Sequence, residues 1–345
     1  MLAAALVLAI GPALAREGTR EPKASQAAER DADEARERTG PGERGEPEGA
    51  GTKEEKPDTE DLFGFTEGST IGETGEKGVS TDFVGRFAKR GATILIPQAD
   101  EDAPPLLFRP RSSYTAIGNL SQLDYTVTDR FKFSLGAAFD YHDVHNIQDL
   151  VNRTAFNFGG LQTEFKFRLL DLDPSPIGLA LSFAPKWNRI DDISGARVNT
   201  YAFETRVIAD AQLIREKLFA AMNLVYEPSV AHVNSTDPET GLFREWERES
   251  DFEVSAAIVG ALTEKLYVGG EGRYLTKYEG TFFDKFEGRA WFVGPTLFAK
   301  ITEKAFVKLA WSVQVSGHAA GEPDQRLDLT NYERHQVRLK LGVNF

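Results

Sequence analysis

Five short connections recur through the later part of this 345-residue chain at intervals of about 43 residues. Four share one chemistry: Val127-Thr-Asp-Arg130, Ile214-Arg-Glu-Lys217, Leu262-Thr-Glu-Lys265 and Ile301-Thr-Glu-Lys304. The fifth, Asp171-Leu-Asp-Pro-Ser-Pro176, carries two prolines, which cannot continue a strand ladder. Between neighbouring connections lie two stretches of strand length and one longer polar segment. Tight turns therefore fall at one end of the structure and longer loops at the other, an asymmetry that a soluble sandwich has no reason to show. Stepping the interval to both ends of the region gives twelve strands. We place them at 79–90, 113–127, 131–142, 154–169, 177–188, 199–213, 217–233, 243–262, 265–278, 287–301, 305–316 and 331–345. The expected fold is all-β, a closed antiparallel transmembrane barrel.

The faces support this. A strand sends successive side chains to opposite sides, so a half-lipid, half-lumen strand alternates with period two. Phe131, Phe133, Leu135, Ala137, Phe139 and Tyr141 form one such set, and Ile177, Leu179, Leu181, Phe183 and Trp187 another. The alternation slips at Gly159-Gly160, where Phe156 and Phe158 have the opposite parity to Phe165 and Phe167. An inserted residue at a bulge returns both rings to the outside; without one they fill the lumen. Tyr141, Trp187, Tyr226, Tyr274, Tyr201 and Trp291 all fall near the loop ends of their strands, as an interfacial girdle requires. Tyr125, Tyr267 and Phe345 lie near the turns and are expected to form the other girdle.

The last fifteen residues read N-Y-E-R-H-Q-V-R-L-K-L-G-V-N-F. Val337, Leu339, Leu341, Val343 and Phe345 alternate with polar residues or glycine up to an aromatic carboxyl terminus. This segment resembles the closing strand of bacterial outer-membrane β-barrels. That resemblance implies an outer-membrane location, contact with its lipid, and a terminal signal read by the barrel-assembly machinery. With the twelve-strand pattern, residues 79–345 are similar to outer-membrane channels in general architecture.

The amino-terminal region reads differently. Residues 1–15 are apolar and end Ala13-Leu14-Ala15, the small-x-small pattern of a signal peptide cleaved before Arg16, although the usual positive n-region is missing. Residues 16–60 contain no Val, Ile, Leu, Met, Phe, Tyr or Trp, but fourteen acidic and nine basic residues. Such a segment cannot offset its ordering entropy and is expected to be a disordered periplasmic arm. Residues 61–78 are Gly-rich and irregular, with Leu62, Phe63 and Phe65 available to dock against something. The net charge of −13 argues against a nucleic-acid partner, and the absence of cysteine excludes disulfides and thiolate metal sites. Oligomeric state is not legible.

Parity also assigns the lumen. Lys300, Lys308, Arg338 and Lys340 come from the last three strands, while Glu204, Asp210, Asp251 and Glu253 come from strands across the barrel. Glu164, Lys166, Arg168, Arg206, Glu271 and Arg273 complete the ring. Separated signs produce a transverse field suited to a narrow channel for passive diffusion of small polar or charged solutes. The alternative is a closed, salt-bridged interior serving as an anchor, because isolated buried charges are too costly to leave unpaired. A third reading, a rim enzyme, rests on Asp140-Tyr-His-Asp-Val-His-Asn146. There Asp143 with His145 imitates half of an omptin-like pair, and His142 with His145 imitates a loose metal pair. No serine stands nearby as a nucleophile, so the expectation is no catalysis, no cofactor and no metal.

Overall fold

The computed structural model describes residues 58–98, 104–173, 175–237, 241–323 and 325–345, and the side chains of these outside 233–245. The signal-like residues 1–15 and the charged arm as far as residue 57 lie outside the described residues.

Twelve strands close into one antiparallel barrel. In chain order they are β1 (Lys77–Phe87), β4 (Ser113–Thr128), β5 (Phe131–His145), β6 (Arg153–Leu170), β7 (Ile177–Ile190) and β8 (Arg197–Ile214). The second half comprises β9 (Leu218–Asp237), β10 (Gly241–Ala261), β11 (Leu266–Glu279), β12 (Lys285–Lys300), β13 (Ala305–Ala319) and β14 (His335–Asn344). Each pairs with its neighbour, and β1 closes the wall against both β4 and β14. A separate hairpin, β2 (Ile94–Ile96) with β3 (Leu106–Phe108), stands in the first loop. The sequence reading missed it because two continuous apolar triplets carry no alternation.

The repeated turns explain themselves locally. In both Thr-Glu-Lys turns the threonine hydroxyl accepts from the two backbone N–H groups that follow. Thr263 Oγ1 takes Lys265 and Leu266 N–H at 3.3 and 3.1 Å, and Thr302 Oγ1 takes Lys304 and Ala305 N–H at 3.2 and 2.9 Å. A short side chain thus satisfies donors that the ladder leaves free. The last strand closes in the same economical way: Phe345 and Lys77 exchange both backbone bonds, at 2.8 and 3.0 Å.

The outside is apolar, as the alternation requires. Leu123, Leu135, Phe139, Leu309, Trp311, Leu341 and Val343 are exposed, and Phe345 is 60 % exposed. Such a band belongs in lipid, because a monomer in water rarely leaves so large an apolar patch bare. Among the described residues no helix is long and apolar enough to cross a membrane. At the slip in β6, Ala138 pairs with Gly160 and Phe139 with Phe158, leaving Gly159 as the extra residue. Phe156 is accordingly 70 % exposed. Both glycines are needed: Gly160 has φ +151, and a Cβ on Gly159 would fall on the Asp140 carboxylate.

Three expectations need correction. Tyr267 points inward and packs edge-on against Phe219 and Phe298, so it is not in the turn-side girdle. The glycines of β11 (Gly269, Gly270, Gly272) weaken the alternation that would have shown this. The last strand begins at His335 rather than Asn331, because Tyr332 turns into the barrel and is 8 % exposed. The charged arm ends before Glu60: Thr59 is fully buried, and Glu60 is held by lysines of the wall.

Candidate functional site

The lumen is occupied. Residues Asp58–Ile71 fold back on themselves, with Gly68 N–H bonding Glu60 C=O at 3.4 Å, and lie inside the turn end of the barrel. Gly68 allows this close return, since a Cβ there would sit 2.1 Å from the Thr59 carbonyl oxygen. Leu62 and Phe63 pack with Phe219, Val259 and Phe298 of the wall. The docking role the sequence left open for Leu62, Phe63 and Phe65 is therefore internal.

The polar grip on this plug comes from wall side chains. Asp61 Oδ1 receives Lys340 Nζ at 2.6 Å and Lys308 Nζ at 3.2 Å. Glu60 receives Lys132 at 2.8 Å and Lys166 at 3.2 Å. Glu67 pairs with Arg206 at 2.6 Å. Glu271 accepts the Phe65 and Thr66 N–H groups at 3.0 and 2.9 Å. Asn223 clamps Glu67 from both sides, accepting its N–H at 2.7 Å and donating to its C=O at 2.9 Å. Asp210 accepts Ser69 N–H at 2.9 Å, Ser69 Oγ at 2.7 Å and the Thr59 hydroxyl. Arg338 donates to Gly64 C=O at 3.0 Å, while Arg273 lies 4.1 Å over the Phe65 ring.

These contacts fix the protonation of the plug. Burial alone would raise each of its acids. For Asp61 the neighbouring Lys340 and Lys308 outweigh burial and hold the carboxyl far below the ordinary range. For Glu67, Arg206 and Lys166 do the same and bring it to about 2. Glu60 is likewise held down by Lys132 and Lys166.

Several of the charges expected to face one another across the lumen instead pair at close range within the wall, while Lys308 and Lys340 pair with the plug. Arg338 binds Asp82 through two nitrogens, at 2.9 and 2.6 Å, and Arg273 binds Glu253 at 3.0 and 2.9 Å. Glu204 sits between Lys186 and Arg206, each at 2.7 Å. Glu164 accepts Ser182 Oγ, and Arg168 at the turn end pairs with Asp171 at 3.6 Å. Lys300 lies at the turn end of β12, in register with Phe306 of β13. Asp251 faces in from β10, nearer the loop end than Glu253. Asp82, Lys132, Lys186 and Glu227 also take part and were not singled out from the sequence. Their parity marks them as inward; the weak alternation of β1 hid Asp82.

Between plug and wall remains a cavity of about 190 Å³. Of the residues lining it only Leu120 is apolar. At the loop end the barrel is capped. Tyr114, Ala116, Val144 and Ile147 form one buried cluster, and Ala290, Phe292 and Tyr332 another. Arg86 ties the cap to Asp192 at 2.8 Å and to Glu333 at 3.5 Å.

Of the rim-enzyme residues, Asp143 and His145 come together on the outer face while His142 stands apart. β5 turns His142 inward, against the Asp192 carbonyl at 3.1 Å, and His145 outward, beside Asp143 at 3.1 Å. The two imidazoles therefore face opposite sides of the wall and cannot share a metal.

Of three solved structures compared with this fold, one superposes with a TM-score above 0.5. The COG4313 outer membrane channel from Pseudomonas putida F1 superposes with a TM-score of 0.51 at 11 % identity, covering 80 % of this chain and 98 % of that one. The translocator domain of the autotransporter NalP from Neisseria meningitidis gives 0.45 at 10 % identity, with 79 % and 90 % covered. The NanC porin gives 0.38 at 8 % identity, with 77 % and 98 % covered. At such identities the likeness concerns fold: this is a membrane-spanning barrel of the outer-membrane type. No curated protein matches the sequence. A family model does match, over residues 109–345, and the chain belongs to that family, the family of unknown function DUF6662.

Proposed function

We propose that this protein is an outer-membrane channel for small polar or charged solutes, shut in the described state by its own segment Asp58–Ile71. The observation that carries the reading is how the plug is attached. The wall closes without it, through β1 with β4 and β14, while the plug hangs on side chains and ion pairs. Such a plug can leave without breaking a ladder. What it leaves behind is a polar lumen, of which the 190 Å³ cavity is the part already unfilled. The COG4313 protein is described as a channel, and the shared barrel gives that reading modest additional support.

The test uses the cysteine-free background. Thr66 is fully buried and among the described residues its hydroxyl has no hydrogen-bond partner, so Thr66→Cys is a mild reporter on plug position. In the full chain, Asp61→Lys sets three ammonium groups together where one carboxylate bridged two. Breaking a buried pair this way costs roughly 3–5 kcal/mol. We expect Thr66→Cys to be unreactive towards a thiol reagent in the parent and reactive with Asp61→Lys. In a planar bilayer the second protein should conduct and the parent should be nearly silent. A labelled, plug-released barrel that stays silent would exclude the channel and favour the non-conducting anchor.

A further inference from the structure

Apart from Arg206, which pairs with both Glu204 of the wall and Glu67 of the plug, the cations around the plug fall into two sets. Lys186, Arg273, Lys277 and Arg338 each have a carboxylate partner on the wall itself, in Glu204 and Glu227, Glu253, Glu249 and Asp82. Lys132, Lys166, Lys308 and Lys340 do not. Among the described residues their ion-pair partners are Glu60 and Asp61, both from the plug. They form two clamps: Lys132 with Lys166 on one carboxylate, and Lys308 with Lys340 on another. Lys166 is 3 % exposed and Lys308 not at all. Those values hold with the plug seated; with it out, each clamp brings two ammonium groups together with no wall carboxylate between them, an arrangement that favours a bound anion.

We infer that the two lysine clamps are a solute site for small molecules carrying two or more carboxylates, and that Glu60 and Asp61 occupy it as stand-ins. The inference rests on the channel reading for passage, but not for binding. Each clamp offers two point charges to a single carboxylate. The adjoining residues Glu60 and Asp61 fill both clamps, so two carboxylates a short linker apart satisfy the site. A monovalent anion fills one clamp and leaves the other bare. A cation or neutral solute fills neither.

The test is made on the full chain with Glu60→Gln and Asp61→Asn together, using tricarballylate as the probe. The variant should lose its folded gel mobility at a lower temperature than the parent. Millimolar tricarballylate should raise that midpoint, by an amount growing with the logarithm of its concentration above the dissociation constant. Sodium chloride at equal ionic strength and the neutral triethyl ester should not raise it, and the parent should not respond. Adding Lys308→Gln and Lys340→Gln should abolish the response. If the double variant does not fold, Asp61→Asn alone keeps the Glu60 clamp filled and exposes the other; a smaller shift of the same sign is then expected. No shift, or an equal shift with chloride, overturns the inference. The readout is binding, so it separates from conduction. A barrel that binds tricarballylate yet never conducts discards the channel and leaves the site. One that conducts without responding to tricarballylate discards the site and leaves the channel.

Discussion

The two ends of the lumen are closed by different physics. At the turn end, one continuous segment is held by side chains: five wall cations on three carboxylates, plus Asn223, Asp210 and Glu271 on its backbone and hydroxyls. At the loop end, separate loops bond to one another through backbone. Arg334 N–H reaches Ala88 C=O at 2.9 Å, Gln148 N–H reaches Arg90 C=O at 3.0 Å, and Ala92 N–H reaches Asn146 C=O at 2.8 Å. Those loops lie over two buried apolar clusters, and Lys89 donates to the Thr330 carbonyl at 2.6 Å. Both ends have apolar packing and ion pairs, but the plug's polar bonds come from wall side chains and the cap's largely from backbone. Side-chain ion pairs answer to salt and pH more than backbone bonds do, so the plug is the more responsive end.

Truncation in the cap should have the largest effect. Phe292 is fully buried against Tyr332, and Phe292→Ala should cost about 3–5 kcal/mol, seen as a lower melting temperature. Thr66→Cys should stay unreactive in that variant below the melting temperature. Labelling there would mean the two ends are coupled and the contrast is wrong.

A smaller, opposite effect is expected from Gly68→Ala. Its Cβ collides with Thr59 backbone, and overpacking of this kind costs roughly 1–3 kcal/mol. Because the plug carries the clash, Thr66→Cys labelling should accelerate while the melting of the barrel barely moves. Unchanged labelling would show that the plug refolds around the methyl.

Acid supplies the mildest probe. The carboxyls of Asp61, Glu60 and Glu67 sit below their ordinary values when the plug is in, so their ionisation favours the plugged state, while Asp58, pushed up by burial and by Glu60, works against them. For Glu67 that contribution is complete above its ordinary 4.5 and is lost as pH falls through about 2. Pepsin should therefore leave Leu62-Phe63 uncut near pH 5 and cut it increasingly towards pH 2, with residues 325–334 of the cap remaining intact. Cleavage independent of pH, after correction with a denatured control, would count against charge as the holding force.

The wall was legible in the sequence and the plug was not, for a physical reason. Strand period, turn chemistry and the Gly159 bulge are local signals, each contained within about a dozen residues. Expected and observed strands accordingly differ by only a few residues at most ends. The grip on the plug is non-local: Glu67 meets Asn223 across 156 positions and Asp61 meets Lys340 across 279. Nothing in D-L-F-G-F-T-E-G-S-T announces those partners. The acids of the plug beside its aromatic residues were visible, as was the surplus of inward lysines on β5, β6, β13 and β14. Matching the two requires knowing that the segment enters the barrel.

The position of the plug next to β1 also sets an order of events in folding. Its holders are spread from β4, where Thr126 donates to the Ile71 carbonyl, to β14, and Lys340 belongs to the strand that seals the seam with β1. Contacts over such separations form late, because the loops between them must close first. The complete socket exists only once the final strand has zipped to the first. The plug's full set of contacts is thus a property of the closed barrel alone, and a wall missing its last strand would lack the Lys340 half of the grip on Asp61.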